Sequence, residues 1–226
     1  MWYTLNWNAS SIKVLLIIKI MEKKQENLIC YTIGHSVHST NEFIELLKQH
    51  NIKYIVDVRS TPYSQYTPQF NRELLKDTLA NSEIGYIYMG DVLGARYNNP
   101  DLFFKHQNTV NFQEVSKLPS FKKGIERVID GLRKGYILAL MCAEKDPFDC
   151  HRFVLVSREL TKSGICVLHI MENGELQSTK NLEKRLLSKY KIDYQQSTLF
   201  EKLKTEDEAI EEAYVRRNLD IGYEND

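Results

Sequence analysis

Residues 121–141 read FKKGIERVIDGLRKGYILALM and contain the helix and the strand that decide the fold. The first part places apolar side chains at the spacing of one helix face, namely Ile125, Val128, Ile129 and Leu132. Gly135 then ends the helix, because glycine readily adopts the left-handed backbone that closes a last turn. Tyr136–Met141 follows as an almost continuous apolar run, which is typical of a strand buried on both faces. The stretch therefore predicts a helix packed against a parallel sheet.

The same alternation of strand and helix extends along the chain on both sides of this stretch. Short apolar runs predict four further strands: Leu28–Ile33, Tyr54–Val58, Tyr86–Met89 and Cys166–Ile170. Helical periodicity lies between them, in segments carrying Phe43, Leu46 and Leu47, then Leu74, Leu75 and Leu79, and finally over His151–Ser163. Ser39 and Glu42 have the spacing of a capping box at the first of these helices. We predict the α/β class: a three-layer, mainly parallel sheet flanked by helices, with a charged helical C-terminal extension.

The chain divides into three parts. Residues 1–27 are interpreted as an N-terminal arm or a misannotated extension, with Met21 as an alternative start. The apolar run Val14–Ile18 in this part is far shorter than the roughly 18 residues that a membrane span needs. Residues 28–176 form the predicted α/β domain, and residues 177–226 form the charged helical extension.

The composition is that of an ordinary globular protein. Hydrophobic residues make up 42% of the 226 residues and charged residues 27%. Thirty basic residues balance thirty acidic ones, so no overall field attracts nucleic acid. The four cysteines lack the close spacing of a disulfide framework, which is typical of reduced thiols in a cytosol. We therefore expect a cytoplasmic protein without a membrane partner, and the sequence indicates no cofactor.

Polar residues follow three of the predicted strands. They form the clusters Gly34-His35-Ser36, Asp57-Val58-Arg59 and Cys142-Ala143-Glu144. In open α/β sheets, ligands bind beyond the carboxyl ends of the strands. His151 and Arg152 open the helix that follows the third cluster. We therefore predict a functional site here, and we expect His35, Arg59, Cys142 and Glu144 to line one cleft at this edge.

The loop after Tyr136–Met141 offers several kinds of chemistry. Cys142 is a candidate nucleophile, with His151 as the neighbour that stabilises its thiolate, or else a small buried residue at a strand end. Glu144 is a candidate general acid or base. A zinc site built from Cys142, Cys150, His151 and His35 is a further alternative, although the spacing is not the usual paired-cysteine pattern. We assign no metal on the sequence alone.

The cations and their neighbours suggest an anion-binding function. Asp57 and Arg59 are two residues apart and project to the same face of a continuing strand. Asp57 is either a catalytic residue or one half of a salt bridge at the strand end. An arginine fork such as that of Arg59 can hold a phosphate or carboxylate. Four further candidates for binding a ligand or anion are His35, Ser36, Arg152 and Arg96, the last within the long irregular segment 90–119.

Several of these motifs together resemble a known family. They are Ile33-Gly34-His35-Ser36, Asp57-Val58-Arg59 with Pro62 and Ser64, Leu93-Gly94, Met141 to Pro147, and Cys150-His151-Arg152. In this order, over Leu28–Gly174, they resemble the bacterial and archaeal domain-of-unknown-function 488 family. The resemblance implies no activity, because none is established for the family. Ala95 departs from the double glycine of the family pattern.

A looser likeness exists to rhodanese-type sulfurtransferase domains. Those domains also have an Asp-Val-Arg strand end and a strand that leads into a cysteine loop and a helix. The loop after Cys142 is longer and acidic here, so sulfur transfer does not carry over. The Cys-x5-Arg signature of cysteine phosphatases is absent, because Phe148 occupies the sixth position after Cys142.

Gln196-Ser197-Thr198-Leu199-Phe200 resembles the pentapeptide by which bacterial replication and repair proteins bind the sliding clamp. In such a peptide Leu199 and Phe200 would enter an apolar groove, and Gln196 would bond at its edge. The alternative is a helix start, with Ser197 or Thr198 as the cap. The pentapeptide predicts the sliding clamp as a partner.

Two functions from different classes follow. The first is an enzyme of nucleic-acid or nucleotide metabolism, in which Arg59 and Arg152 hold an anionic group and Glu144 or Cys142 performs the chemistry. The second is a non-catalytic module that binds a nucleotide, a modified base or a peptide in the same pocket.

Overall fold

The structure is a computed structural model, which describes residues 28–194 and 204–224. A six-stranded sheet runs through its centre, with strands β1 Ile29–Gly34, β2 Tyr54–Asp57, β3 Gly85–Tyr88, β4 Leu138–Cys142, β5 Cys166–Ile170 and β6 Leu176–Ser178. Their order is β3-β2-β4-β1-β5-β6. The first five are parallel, and β6 pairs antiparallel with β5. The predicted mainly parallel α/β sheet is confirmed.

The helices are α1 Thr40–Gln49, α2 Arg72–Ala80, α3 Gly90–Leu93, α4 Phe112–Val115, α5 Pro119–Arg133, α6 Arg158–Lys162, α7 Thr179–Tyr190 and α8 Glu206–Ile221. Short 3-10 turns cover Pro68–Phe70, Pro100–Leu102 and Pro147–Asp149. Within the described ranges, no helix is long and apolar enough to cross a membrane.

Apolar residues cover both faces of the sheet, as the three-layer prediction requires. Ile55 and Val56 are neighbours on β2, yet they lie in two different buried clusters. Leu140 and Met141 on β4 divide in the same way. Successive side chains of a strand point to opposite faces, so each cluster is the core of one face.

Ser39 and Glu42 form the predicted capping box at α1. In α2, Leu75 and Leu79 face the core, whereas Leu74 is 53% exposed. One local prediction differs from the structure. The strand expected to start at Tyr136 begins at Leu138. The Tyr136 N–H donates to the Gly131 carbonyl 3.1 Å away and so closes α5 rather than joining the sheet.

The helix predicted over His151–Ser163 is not regular. Arg152–Ser157 forms a π-helical turn before α6 begins at Arg158. The Ser157 hydroxyl donates to the Arg152 carbonyl over 2.6 Å, five residues earlier in the chain. π-helical turns are rare in proteins, and those that occur are often located at functional sites.

Helix α8 packs onto the domain. Ala213 and Tyr214 are buried in the core, and Arg217 donates to the Phe148 carbonyl at 3.0 Å. Arg217 also pairs with Asp149. This helix therefore holds the end of the loop that follows β4.

His169 on β5 makes folding stability dependent on pH. It is buried between the hydroxyls of Thr32 and Thr179, at 2.8 and 3.2 Å, and burial lowers its pKa to about 3. The unfolded chain binds a proton below about pH 6.5. In the folded chain, His169 binds a proton only near pH 3. The contribution of neutral His169 to the free energy of unfolding is therefore complete above about pH 6.5 and is lost as the pH falls. We expect His169 to cost about 2 kcal/mol of stability between pH 7 and 5.

Urea unfolding at both pH values measures this loss, with His169→Gln as the comparison. The variant should lose less stability between pH 7 and 5 than the wild type. Equal losses in the two proteins would show that His169 does not cause the effect.

Candidate active site

Strand order brings the three polar clusters together. β4 lies between β2 and β1, so the residues after these strands meet at one edge of the sheet. The His35 N–H donates to the Cys142 carbonyl at 3.0 Å, and the Ser36 N–H donates to the Ala143 carbonyl at 2.8 Å. On the other side of β4, the Val58 N–H donates to the Met141 carbonyl at 3.0 Å.

One buried network surrounds Arg59. Its guanidinium donates to both carboxylate oxygens of Asp57, at 2.9 and 2.6 Å, and to the Phe70 carbonyl at 2.9 Å. Its remaining nitrogen lies 3.1 Å from His35 Nε2. The Tyr86 hydroxyl donates to Asp57 at 2.7 Å. Asp57 therefore forms the salt bridge that was one of its two predicted roles, and each guanidinium nitrogen of Arg59 contacts a group within the protein.

The protonation states of this network follow from its contacts. Burial and the nearby Arg59 charge lower the pKa of His35 to about 4. His35 Nδ1 lies 2.9 Å from the Ser36 carbonyl, which can only accept, so Nδ1 carries the proton and Nε2 accepts from Arg59. Burial opposes the charge on Arg59, but the hydrogen bond and charge of Asp57 outweigh burial, and the Arg59 pKa is raised. Burial and the Asp57 charge raise the pKa of Tyr86.

Arg152 has no exposed surface and holds the loop after β4. Its guanidinium donates to the carbonyls of Glu144 and Lys145, at 2.7 and 3.1 Å. The expected anion-binding role of Arg152 does not fit this burial, because an anion in solution cannot reach the guanidinium. Arg152 therefore holds the loop backbone rather than a ligand.

A second buried cluster contains two thiols and an imidazole. Cys142 and Cys150 Sγ lie 3.6 and 3.9 Å from His151 Nδ1. Cys150 Sγ is also 2.8 Å from Glu144 Oε2. Cys142, Cys150 and His151 are each at most 9% exposed, whereas Glu144 is an exposed residue. The cluster thus has a buried base, and the carboxylate that contacts it belongs to an exposed residue.

The groups of this second cluster shift one another's pKa values. Burial and the neighbouring Cys150 raise the pKa of the Cys142 thiol. Burial opposes a Cys150 thiolate. The hydrogen bond from Cys142 and the positive charge of Arg152 outweigh burial and lower the Cys150 pKa. Loss of water around its carboxyl group and the Cys150 charge raise the pKa of Glu144. Burial opposes the His151 cation. The hydrogen bond to Cys150 and the negative charge of the Cys150 thiolate outweigh burial and raise the His151 pKa.

The predicted convergence is therefore observed, but His35, Arg59 and Cys142 are almost wholly buried and do not line an open cleft. The sequence suggests Cys150 as a possible zinc ligand. The structure shows in addition that its Sγ contacts the Glu144 carboxylate directly. Tyr86 was missed altogether. Its place one strand away from Asp57 becomes visible only with the β2–β3 pairing.

Arg96 is exposed and stands over the Tyr223 ring, with its guanidinium carbon 4.9 Å from the ring centre. The Ser60 hydroxyl oxygen accepts from the N–H groups of Ala95 and Arg96, at 2.9 and 3.1 Å. These bonds fix the segment of Arg96 against the residues that follow β2. Gln196, Leu199 and Phe200 lie outside the described residues.

Gly34 allows β1 to approach the loop that carries Glu144. A Cβ at this position would lie 1.9 Å from the Glu144 carbonyl oxygen and 3.0 Å from the Arg152 guanidinium. We expect Gly34→Ala to reduce the free energy of unfolding by about 3 kcal/mol, because both groups must move.

Urea unfolding measures the Gly34→Ala effect, with Gly131→Ala as the control. A Cβ at Gly131 meets its nearest atom at 3.4 Å, so this helical substitution should be neutral or stabilise by up to about 1 kcal/mol. Equal stability of the two variants would mean that the close approach at Gly34 is not needed.

Comparison with known proteins gives a family but no relative. No curated protein and no solved structure matches the chain. The looser likeness to rhodanese-type domains therefore finds no support here. A family model described as Domain of unknown function DUF488 matches residues 39–158, which is just over half of the chain. This segment contains Asp57, Arg59 and Tyr86 of the buried network and all four residues of the thiol–imidazole cluster, whereas His35 precedes it. The chain belongs to the domain of unknown function DUF488 family.

Proposed function

We propose that the protein is an enzyme of nucleic-acid or nucleotide metabolism in which Glu144 transfers protons as general acid or base. The observation that carries this proposal is the position of Glu144. Glu144 is an exposed residue whose carboxylate contacts a buried thiol–imidazole cluster, at the carboxyl end of the central strand β4. Ligands of open α/β sheets bind at this edge. A titratable side chain of an exposed residue there can contact a substrate.

Exposed aromatic residues on the segment that follows β2 support a nucleotide substrate. Tyr63 and Tyr66 are 53% and 96% exposed on the segment that follows β2. His151 Nε2 lies 3.1 Å from the Val58 carbonyl, which ties the start of this segment to the cluster. Bases stack on such rings in proteins that bind single-stranded nucleic acid. Arg96, fixed to the same segment through Ser60, is the cation available for a phosphate.

A panel of nucleosides, nucleotides and short single-stranded oligonucleotides tests the proposal. Binding is followed by thermal shift and product formation by mass spectrometry. We expect at least one member to stabilise the protein and to be converted. Stabilisation without conversion by any member would favour a non-catalytic binding module, and a lack of both would contradict a nucleotide ligand.

The binding module remains the second candidate because the cluster is so deeply buried. Cys142 and Cys150 are 3% and 1% exposed, which is also typical of thiols that only support a structure. In this case the exposed tyrosines would bind the ligand and Glu144 would perform no chemistry.

We further propose that Gln196–Phe200 binds the bacterial sliding clamp and tethers the domain to DNA, which places the protein in the cytoplasm. The support is the sequence of the pentapeptide itself. A tether would explain how a chain with balanced charges acts at nucleic acid.

Replacing Leu199 and Phe200 together by alanine should weaken clamp binding by about 2–4 kcal/mol, because short peptides concentrate binding energy in a few apolar side chains. The unfolding temperature should stay within about 1 °C, since peptide anchors are not core residues. Calorimetric titration with the clamp measures the first effect, with Glu201→Ala as the control. A wild type without clamp affinity, or a double variant that unfolds at a much lower temperature, would contradict the tether.

A further inference from the structure

Two sulfurs and a ring nitrogen converge at the end of β4. The ligand atoms of Cys142, Cys150 and His151 all lie within 4.8 Å of one another. The three residues come from β4 and from the junction between a 3-10 turn and the π-helical turn, so rigid elements hold them on both sides.

The two separations between sulfur and nitrogen are close to those of a tetrahedral metal site. A zinc ion at its usual distances from sulfur and nitrogen separates these two ligand atoms by about 3.6 Å. The measured separations from His151 Nδ1 are 3.6 Å to Cys142 Sγ and 3.9 Å to Cys150 Sγ. A metal ion could therefore bind after only small movements of the side chains.

His151 is already oriented as a metal ligand. Its Nε2 lies 3.1 Å from the Val58 carbonyl, which can only accept a hydrogen bond. Nε2 therefore carries a proton, and Nδ1 is the ring nitrogen that faces the two sulfurs. Most histidines that bind a metal through one ring nitrogen donate a hydrogen bond from the other nitrogen, often to a backbone carbonyl.

The surroundings of Cys150 Sγ also suit a metal-bound sulfur. The Arg152 N–H points at Cys150 Sγ, 3.4 Å away, and the Arg152 guanidinium carries a positive charge next to the loop. Two thiolates beside one imidazole would bring two negative charges into a buried place where the Arg152 guanidinium supplies one positive charge. A divalent metal ion neutralises this charge, and a donor set of two sulfurs and one nitrogen is typical of zinc.

We propose that Cys142, Cys150 and His151 bind one zinc ion, with Glu144 beside its fourth position. Three protein ligands and one open position are typical of catalytic rather than structural zinc sites. The role of Glu144 as the group that exchanges a proton with a metal-bound water rests on the proposed function. The metal site itself does not.

Elemental analysis of the full chain, expressed with zinc and purified under a phosphine reductant without chelator, tests the site. We expect about one zinc per chain in the wild type and in Cys166→Ser, whose cysteine is exposed on β5. Cys142→Ser and Cys150→Ser should each retain less than about a tenth of this amount. Glu144→Gln should keep the metal, and its loss there would overturn the assignment of three ligands.

Cobalt substitution of the wild type gives a result that does not depend on the folding of any variant. We expect an intense near-ultraviolet band from sulfur-to-cobalt charge transfer and visible absorption of a tetrahedral ion. A folded, reduced wild type that binds neither zinc nor cobalt would overturn the site. So would a mass two hydrogens lower at all reductant concentrations, which means a Cys142–Cys150 disulfide. Bound zinc without turnover on the nucleotide panel would contradict the proposed function and leave the metal site standing.

Discussion

Replacing Glu144 by glutamine is expected to reduce turnover by about 10²–10⁴-fold, which is the usual contribution of a general acid or base. The amide keeps the size of the side chain but can no longer accept or deliver a proton. Substrate affinity should change by less than about threefold, because the aromatic residues that we assign to binding are untouched. Single-turnover kinetics on the substrate found in the panel measures the two quantities separately.

Glu172→Gln is the matched control. Glu172 is an exposed carboxylate that pairs with Lys145, one residue away from Glu144. Its replacement should leave turnover unchanged. If Glu144→Gln turned over substrate as fast as Glu172→Gln, proton transfer at Glu144 would have no part in the reaction.

Asp57→Asn is expected to have the largest effect on stability, a loss of about 3–5 kcal/mol. Asp57 is fully buried and Arg59 is 6% exposed, so the amide would leave a guanidinium charge without a partner in the interior. The Tyr86 hydroxyl, which donates to the same carboxylate at 2.7 Å, would lose its charged acceptor as well. Urea unfolding at pH 7 measures the change.

Asp130→Asn provides the comparison, because Asp130 pairs with Arg133 on the surface of α5, where both side chains are more than half exposed. Exposed pairs contribute little, so this variant should stay within about 0.5 kcal/mol of the wild type. A loss below about 1 kcal/mol for Asp57→Asn would mean that the buried network relaxes or admits water.

The sheet could be predicted because its signals are local. A strand or helix that buries a whole face needs apolar residues at regular positions, and the sequence shows this pattern directly. Examples are the run Tyr136–Met141 and the periodicity from Ile125 to Leu132. The ends of elements depend on single hydrogen bonds. Tyr136 is not part of β4 because its N–H donates to the Gly131 carbonyl at the end of α5. In the π-helical turn, the Ser157 hydroxyl donates to the Arg152 carbonyl. Periodicity does not record such bonds.

The place of the candidate site was predictable for a topological reason, since parallel strands bring their carboxyl ends to one edge. The roles of its arginines were not. Arg152 bonds to the backbone carbonyls of Glu144 and Lys145, and Arg59 bonds to the carbonyl of Phe70. Every residue has a carbonyl, so no residue type in the sequence marks these partners.

A crystal structure of the protein with the nucleotide selected by the panel tests the assignment of the active site most directly. We expect the reacting group of the ligand to lie about 3 Å from a Glu144 carboxylate oxygen, with the base against Tyr63 or Tyr66. A nucleotide bound only elsewhere, for example in the 270 Å³ cavity lined by Arg72, Lys76 and Tyr88, would contradict the assignment.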